Sequence, residues 1–110
     1  DMKEKISTLL CFLVFFTGTS YAFASDIENG EQLFAANCSA CHLGGKNVVV
    51  PEKNLQSDVL QANGMKSVDA ITYQVTNGKN AMPAFGGRLD DQNIKDIAEY
   101  VISQSTKGWT

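Results

Sequence analysis

The clearest pattern in the chain is an apolar stripe near its end, flanked by polar residues. The stripe repeats at helical spacing and consists of Ile94, Ile97, Ala98, Val101 and Ile102. Apolar residues at i, i+3, i+4, i+7 and i+8 form one face of an amphipathic helix. Asp90 and Asp91 precede the stripe, where negative charge interacts favourably with the N-terminal end of a helix dipole. Residues 89–105 are therefore predicted to form a helix.

Three shorter helices are predicted ahead of it, over residues 25–42, 57–64 and 67–78. Their predicted N-caps and terminating glycines are Asp26, Ser57, Ser67, Gly64 and Gly78. The apolar run 48–50 could form a strand, but the chain offers no partner strand, so we expect an extended loop. The prediction is an all-α domain of about four short helices joined by long loops. Such loops in a compact domain suggest that they wrap something that is not protein.

Residues 1–24 have the pattern of a secretory signal peptide. Lys3 and Lys5 supply positive charge, and an apolar run follows over residues 6–16. The sequence A-x-A at 22–24 then marks a cleavage site.

Two alternatives, in which this segment anchors the protein to a membrane, remain open. An apolar run of eleven residues makes about 16 Å of helix, too short for a hydrocarbon core of about 30 Å. Cys11 raises a lipoprotein alternative, but it lies inside the apolar run rather than after it. We therefore predict a signal peptide over 1–24, with Asp1 unexplained, and one domain over 25–110 that has no membrane anchor after cleavage.

Composition and charge narrow the function further. The chain has twelve Asp and Glu against nine Lys and Arg, and a net charge of −3. A nucleic-acid partner is not expected, because such binders show a basic patch. A domain this small buries a marginal core and usually needs a disulfide, a metal or a cofactor. The predicted domain contains only Cys38 and Cys41, and a disulfide closing so short a loop would stabilise little.

The chain's one histidine follows this cysteine pair directly, in the sequence NCSACHLG. A zinc site needs about four ligands, and no second ligand pair exists. A thioredoxin-type dithiol belongs near a βαβ pattern, which a helical chain lacks. The remaining chemistry is covalent haem attachment, for which C-x-x-C-H is the signature. Cys38 and Cys41 would meet the two vinyl groups from one side of a helical turn, and His42 would lie under the iron.

The second axial position decides the chemistry of such a haem. A vacant position allows ligand binding or peroxide chemistry, whereas a His/Met pair gives an electron carrier. With no second histidine, the candidates are Met65, in a polar connector, and Met82. Pro83 stiffens the chain beside Met82, and neighbouring glycines permit close approach to a flat ring. Met82 is therefore the predicted ligand, and the protein is expected to be an electron carrier and not an enzyme.

Three stretches resemble the cytochrome c6 family, the small class I cytochromes c of cyanobacteria and algal plastids. They are GEQLFAANCSACHLGG, YQVTNGKNAMPAFGGRL and KGW near the end. The resemblance covers residues 25–110 and implies a class I cytochrome c fold wrapped around one covalently bound haem c. It also implies an electron shuttle from the cytochrome b6f complex to photosystem I, exported to the thylakoid lumen by a Sec-type signal. A respiratory cytochrome that donates to a terminal oxidase is the alternative, since it would share every ligand.

The resemblance also implies roles for single residues of the haem site. Cys38 and Cys41 would attach the haem, and His42 and Met82 would be its axial ligands. Gln74 would lie near the haem and tune its potential.

Further residues are carried over from the same resemblance. Asn47 and Lys53 would contact the haem propionates. Separately from the resemblance, the position of Pro51 in the loop suggests that its carbonyl would accept a hydrogen bond from the His42 ring. The contact between the first and last helices would involve Gly30, Phe34 and Tyr100.

A docking surface for redox partners is expected beside the haem edge. It would combine an apolar patch around Ala81, Pro83, Ala84 and Phe85 with one cation. Arg88 would supply that positive charge and steer the encounter with photosystem I.

Overall fold

A computed structural model describes residues 26–110 and shows an all-helical domain. The helices are α1 (Ile27–Asn37), α2 (Ser39–His42), α3 (Ser57–Ala62), α4 (Val68–Asn77) and α5 (Asp91–Lys107). A 3₁₀ turn, Leu43–Gly45, follows α2 directly. No strand forms between residues 26 and 110, where the only β-pairing is a pair of isolated bridges. The predicted all-α class is confirmed, whereas the predicted signal peptide lies outside the described residues.

Side-chain caps explain where three of the helices begin. The Asp26, Ser67 and Asp90 side chains each accept a hydrogen bond from the backbone N–H three residues on, as expected for N-caps. Ser57 was predicted to cap α3 but lies one residue inside it, because Gln56 takes the N-cap position. Gly78 ends α4 with a φ of +73°, a conformation that favours glycine.

Helix α1 crosses α5 at close range at Gly30. A Cβ at Gly30 would overlap the backbone carbonyl of Asp96, so only glycine permits this separation. Next to the crossing, the Phe34 and Tyr100 rings pack with their centroids 5.3 Å apart. The predicted contact between the first and last helices is therefore confirmed.

Helix α5 supplies the largest share of the buried apolar core. From the predicted stripe, Ile94, Ile97, Ala98 and Val101 are buried, whereas Ile102 is half-buried. The other elements add Phe34, Leu60, Ile71, Val75 and Phe85. Burial of this kind stabilises the fold by about 25 cal/mol for each Å² of apolar surface removed from water.

Asp96 is a charged residue of α5 that is buried beside the crossing with α1. Its carboxylate accepts hydrogen bonds from the Asp26 N–H at 3.0 Å, the Asn29 side-chain amide at 3.0 Å and the Gln92 side-chain amide at 2.9 Å. Three donors compensate the desolvation of the carboxylate and tie the start of α1 to α5.

None of the helices between residues 26 and 110 has the length and apolar character needed to cross a lipid bilayer.

Candidate functional site

The C-x-x-C-H segment forms one tight helical turn immediately after α1. The Cys38 carbonyl accepts hydrogen bonds from the Cys41 N–H at 3.2 Å and the His42 N–H at 2.9 Å. This turn brings both thiols and the imidazole to the same cavity, which all three side chains help to line.

The cavity has a volume of about 430 Å³ and is bounded mainly by apolar side chains. Its walls from the core are Phe34, Leu60, Ile71, Val75, Phe85, Ile97 and Val101. The predicted haem-site residues Cys38, Cys41, His42, Asn47, Lys53, Gln74 and Met82 all line it too. The structure thus gathers in one place residues that the sequence spreads over more than forty positions. The volume and the apolar character of this cavity are typical of a pocket that binds a cofactor or another small molecule.

His42 is held by a backbone carbonyl four residues later in the chain. Its Nδ1 lies 2.9 Å from the Lys46 carbonyl oxygen. Because a carbonyl can only accept, Nδ1 carries a proton, and this tautomer leaves Nε2 as the ring nitrogen that can bind a metal. The expectation that Pro51 supplies this carbonyl is wrong, since the 3₁₀ turn after α2 brings the Lys46 carbonyl to the ring instead.

Met82 lines the cavity from the turn that follows α4. Reciprocal backbone hydrogen bonds between Lys79 and Met82, of 2.9 and 3.0 Å, close this turn. The Gln74 side-chain amide donates to the Met82 sulfur at 3.5 Å. Met65 also lines the cavity and packs against the core. Both candidate methionines therefore reach the site, but only the Met82 sulfur has a hydrogen-bond donor among residues 26–110.

Asn47 organises the loop that closes one side of the cavity. Its side-chain oxygen accepts from the Val49 N–H at 3.1 Å and the Val50 N–H at 2.9 Å. Its side-chain NH₂ donates to the Lys53 carbonyl at 2.9 Å. The structure thus places Asn47 and Lys53 together at the cavity, with the Asn47 amide joined to the loop backbone.

The two cysteines differ in their surroundings. Cys38 is half-buried, and burial raises the pKa of its thiol to about 11, whereas Cys41 is exposed. Both are free thiols, available for covalent attachment to a cofactor.

Comparison with known proteins identifies the family to which this site belongs. A family model described as cytochrome c oxidase, cbb3-type, subunit III, matches residues 25–101. Cytochrome c6 of Pyropia yezoensis is 59% identical over 98% of this chain and 100% of its own length. Cytochrome c6 of Bumilleriopsis filiformis is 69% identical over 77% of this chain and 99% of its own length.

The chain belongs to the cytochrome c6 family. A solved structure agrees: cytochrome c6 from the diatom Phaeodactylum tricornutum superposes with a TM-score of 0.75 at 50% identity. That match covers 77% of this chain and all of the diatom chain, which confirms the class I cytochrome c fold. As a c-type cytochrome, the protein carries haem c and transfers electrons.

The lining of the cavity suits a haem in its chemistry. Apolar walls match the faces of a porphyrin, and an imidazole nitrogen with a thioether sulfur is a donor set that favours iron in cytochromes c. A Cβ at Gly78 would lie 2.7 Å from the Met82 carbonyl oxygen and 2.8 Å from the Ala84 nitrogen. The turn that is closed by Lys79 and Met82, called the methionine turn below, therefore packs closely against the end of α4.

Of the four apolar residues expected in a docking patch, three are exposed and one is buried. Pro83, Ala81 and Ala84 are exposed at the surface, as is Arg88. Phe85 is only 7% exposed and belongs to the core, so it cannot form part of a surface patch. The Arg88 guanidinium lies 5.6 Å from the centre of the Phe85 ring, which supports the cation from beneath.

Three exposed apolar residues beside the motif were not predicted from the sequence. Leu43, Val48 and Val49 are 70, 64 and 58% exposed. The Val48 N–H donates to the Cys41 carbonyl at 3.1 Å, so this group lies next to the C-x-x-C-H turn. The sequence did contain a signal for this exposure, namely an apolar run in a loop without a partner strand. Such a run has no neighbouring strand to pack against, so its side chains can remain exposed.

Proposed function

We propose that this member of the cytochrome c6 family carries single electrons from the cytochrome b6f complex to photosystem I in the thylakoid lumen. The observation that carries the proposal is the gathering of two thiols, one imidazole and one thioether around a single apolar cavity. Membership of the cytochrome c6 family supports the photosynthetic partners.

In this proposal, Cys38 and Cys41 attach the haem through thioether bonds, and His42 and Met82 are its axial ligands. The bound haem supplies a one-electron redox centre. The Lys46 carbonyl orients His42, and the turn closed by Lys79 holds Met82. Fixed ligands keep structural reorganisation small when the charge of the site changes, which suits an electron carrier.

Other side chains at the cavity have secondary roles in the proposal. Gln74 adjusts the potential through the Met82 sulfur, which its amide contacts. Lys53 and Asn47 line the cavity, where they would contact the haem propionates.

Exposed residues near the methionine turn form the docking surface. Pro83 with its neighbours Ala81 and Ala84 supplies apolar contact area, and Arg88 supplies the steering charge. Transient redox complexes use interfaces at the small end of the size range, so a patch of this extent is sufficient.

Residues 1–24 act in this proposal as a Sec-type signal that is removed on export to the lumen. The domain over 25–110 is then released without a membrane anchor. Mass spectrometry of the protein purified from the lumenal fraction of its native cells would identify the first residue of the mature chain.

Flash photolysis tests the proposed partner directly. Reduced holoprotein is mixed with photosystem I particles, and haem oxidation after a flash is followed at rising protein concentration. We expect rates that rise with concentration and respond to salt, because charged residues steer the encounter. Slow oxidation by a holoprotein with an intact spectrum would contradict photosystem I as the acceptor.

A respiratory acceptor is the second candidate. The family model that matches residues 25–101 carries the description of an oxidase subunit, which favours this alternative. Oxygen uptake by oxidase-containing membranes, driven by the reduced holoprotein, would measure that activity beside the photosystem I rate.

A further inference from the structure

Trp109 folds back from the end of α5 onto the segment that follows the C-x-x-C-H turn. Gly108 ends α5 with a φ of +70°, and Trp109 itself has a φ of +63°. A positive φ is uncommon for a bulky residue and persists only where the surroundings hold it. Here the indole N–H donates to the Leu55 carbonyl at 2.9 Å.

Gly45 lies directly against the indole ring. A Cβ built on Gly45 would be 2.5 Å from the ring atoms Cδ2 and Cε2 of Trp109, so no other residue fits without moving the ring. The Gly45 carbonyl accepts from the Leu55 N–H at 2.7 Å. Each of the three residues Trp109, Gly45 and Leu55 therefore contacts the other two.

The next residue after Gly45 is Lys46, whose carbonyl accepts from His42 Nδ1 at 2.9 Å. The Lys46 N–H makes a long hydrogen bond of 3.3 Å to the Leu43 carbonyl. Gly45, which is buried under the indole and has a φ of +79°, therefore fixes the chain before the Lys46 carbonyl, while the hydrogen bonds of Asn47 fix it on the other side.

We propose that Trp109 is a positioning residue that fixes Gly45 and Lys46 and thereby holds the His42 ring in its ligand orientation. The inference rests on the proposed function, in which His42 binds the haem iron. A carbonyl that accepts from Nδ1–H increases the electron density of the imidazole and strengthens its donation to oxidised iron. Loosening the Lys46 carbonyl would therefore raise the midpoint potential and expose the Nδ1 proton to solvent.

The test compares holoproteins carrying Trp109→Phe or Trp109→Ala with a matched control. Trp109→Phe keeps an aromatic ring over Gly45 but removes the donor to Leu55, and Trp109→Ala removes both. Val68→Ala is the control, because Val68 packs against the core from α4 without lining the cavity. All three variants are expected to lower the melting temperature.

Two measurements separate positioning from simple packing. The exchange of the His42 Nδ1 proton with solvent can be measured by NMR in the reduced protein. We expect this exchange to be about fivefold faster in Trp109→Phe, because the loss of one net hydrogen bond of about 1 kcal/mol corresponds to that factor. Trp109→Ala should exchange faster still, and the midpoint potential should rise in the same order. Val68→Ala should change neither quantity.

The failures of the two proposals are distinguishable. Unchanged proton exchange and potential in both Trp109 variants, with a low-spin histidine-ligated spectrum in the unmodified protein, would overturn the role of Trp109 alone. A spectrum of the unmodified holoprotein without histidine ligation would overturn the proposed function and this inference together.

Discussion

The side-chain amide of Gln74 donates to the sulfur of Met82 at 3.5 Å, which joins α4 to the turn that follows it. A thioether sulfur is a weak acceptor, so this donor draws electron density away from the atom proposed to bind iron. The relationship predicts that Gln74 acts on the redox potential through Met82.

Replacing Gln74 with Val should therefore lower the midpoint potential. Without the N–H donor, the Met82 sulfur donates more strongly and oxidised iron is favoured. A hydrogen bond worth about 1 kcal/mol corresponds to a shift of about 40 mV for a one-electron couple. Redox titration of the holoprotein measures the shift. Gln61→Val, at an exposed position of α3, is the control, and equal potentials in the two variants would contradict the role of Gln74.

The proposed axial ligand can be tested against the other methionine at the cavity. Met82→Ala should leave the reduced holoprotein able to bind carbon monoxide readily, because a coordination position becomes vacant. Met65→Ala is matched in chemistry and also lines the cavity, yet it should keep the low-spin spectrum. Absorption spectra with and without carbon monoxide decide the matter. Carbon monoxide binding by Met65→Ala alone would reverse the assignment.

The crossing of α1 over α5 predicts a large loss of stability for Gly30→Ala. The added Cβ would overlap the Asp96 carbonyl, so the helices must separate at a cost of about 1–3 kcal/mol. Denaturant titration of the holoprotein measures the free energy of unfolding. Ala36→Ser, on the exposed face of α1, should change that free energy by less than about 0.5 kcal/mol.

Much of this fold could be predicted because its signals are local. The stripe of α5 follows a helical period, and Ser67 and Gly78 bound α4 as their chemistry predicts. The candidate site was harder to predict from the sequence, because residues in loops have no periodicity from which burial can be inferred. Phe85 was therefore expected at the surface, although it belongs to the core. Lys46 was missed because a backbone carbonyl can come from any residue type.

Asp96 shows why the rest of the core could not be predicted from a pattern. It lies outside the predicted stripe, at a position where the pattern suggests an exposed residue, yet it is buried. Its hydrogen bond from the Asp26 N–H joins residues seventy positions apart in the sequence. Burial would raise the pKa of its carboxyl, but hydrogen bonds from Asn29, Gln92 and the Asp26 N–H, with the charge of Lys95, outweigh burial and lower the pKa.

This lowered pKa predicts how stability depends on pH. An Asp with a lower pKa in the folded state stabilises the fold fully above its unfolded pKa of about 3.9, and the effect is lost as pH falls through the folded value. Asp96→Asn should be less stable than the unmodified protein at pH 7, by about 1–3 kcal/mol. The difference should shrink towards pH 3. Denaturant titrations at both pH values test this, and a difference that stays constant would contradict it.

Arg88→Glu should slow the oxidation of the reduced holoprotein by photosystem I. The Arg88 side chain is exposed beside the apolar docking surface, so reversing its charge replaces attraction with repulsion in the encounter. We expect a loss in the bimolecular rate on the order of tenfold at low salt, and a smaller loss as salt screens the charges. The haem spectrum should stay intact, because Arg88 does not line the cavity. Lys107→Glu makes the same charge change at the end of α5 and is the control. An equal loss of rate in that variant would show that the effect comes from the net charge of the protein and not from the position of Arg88.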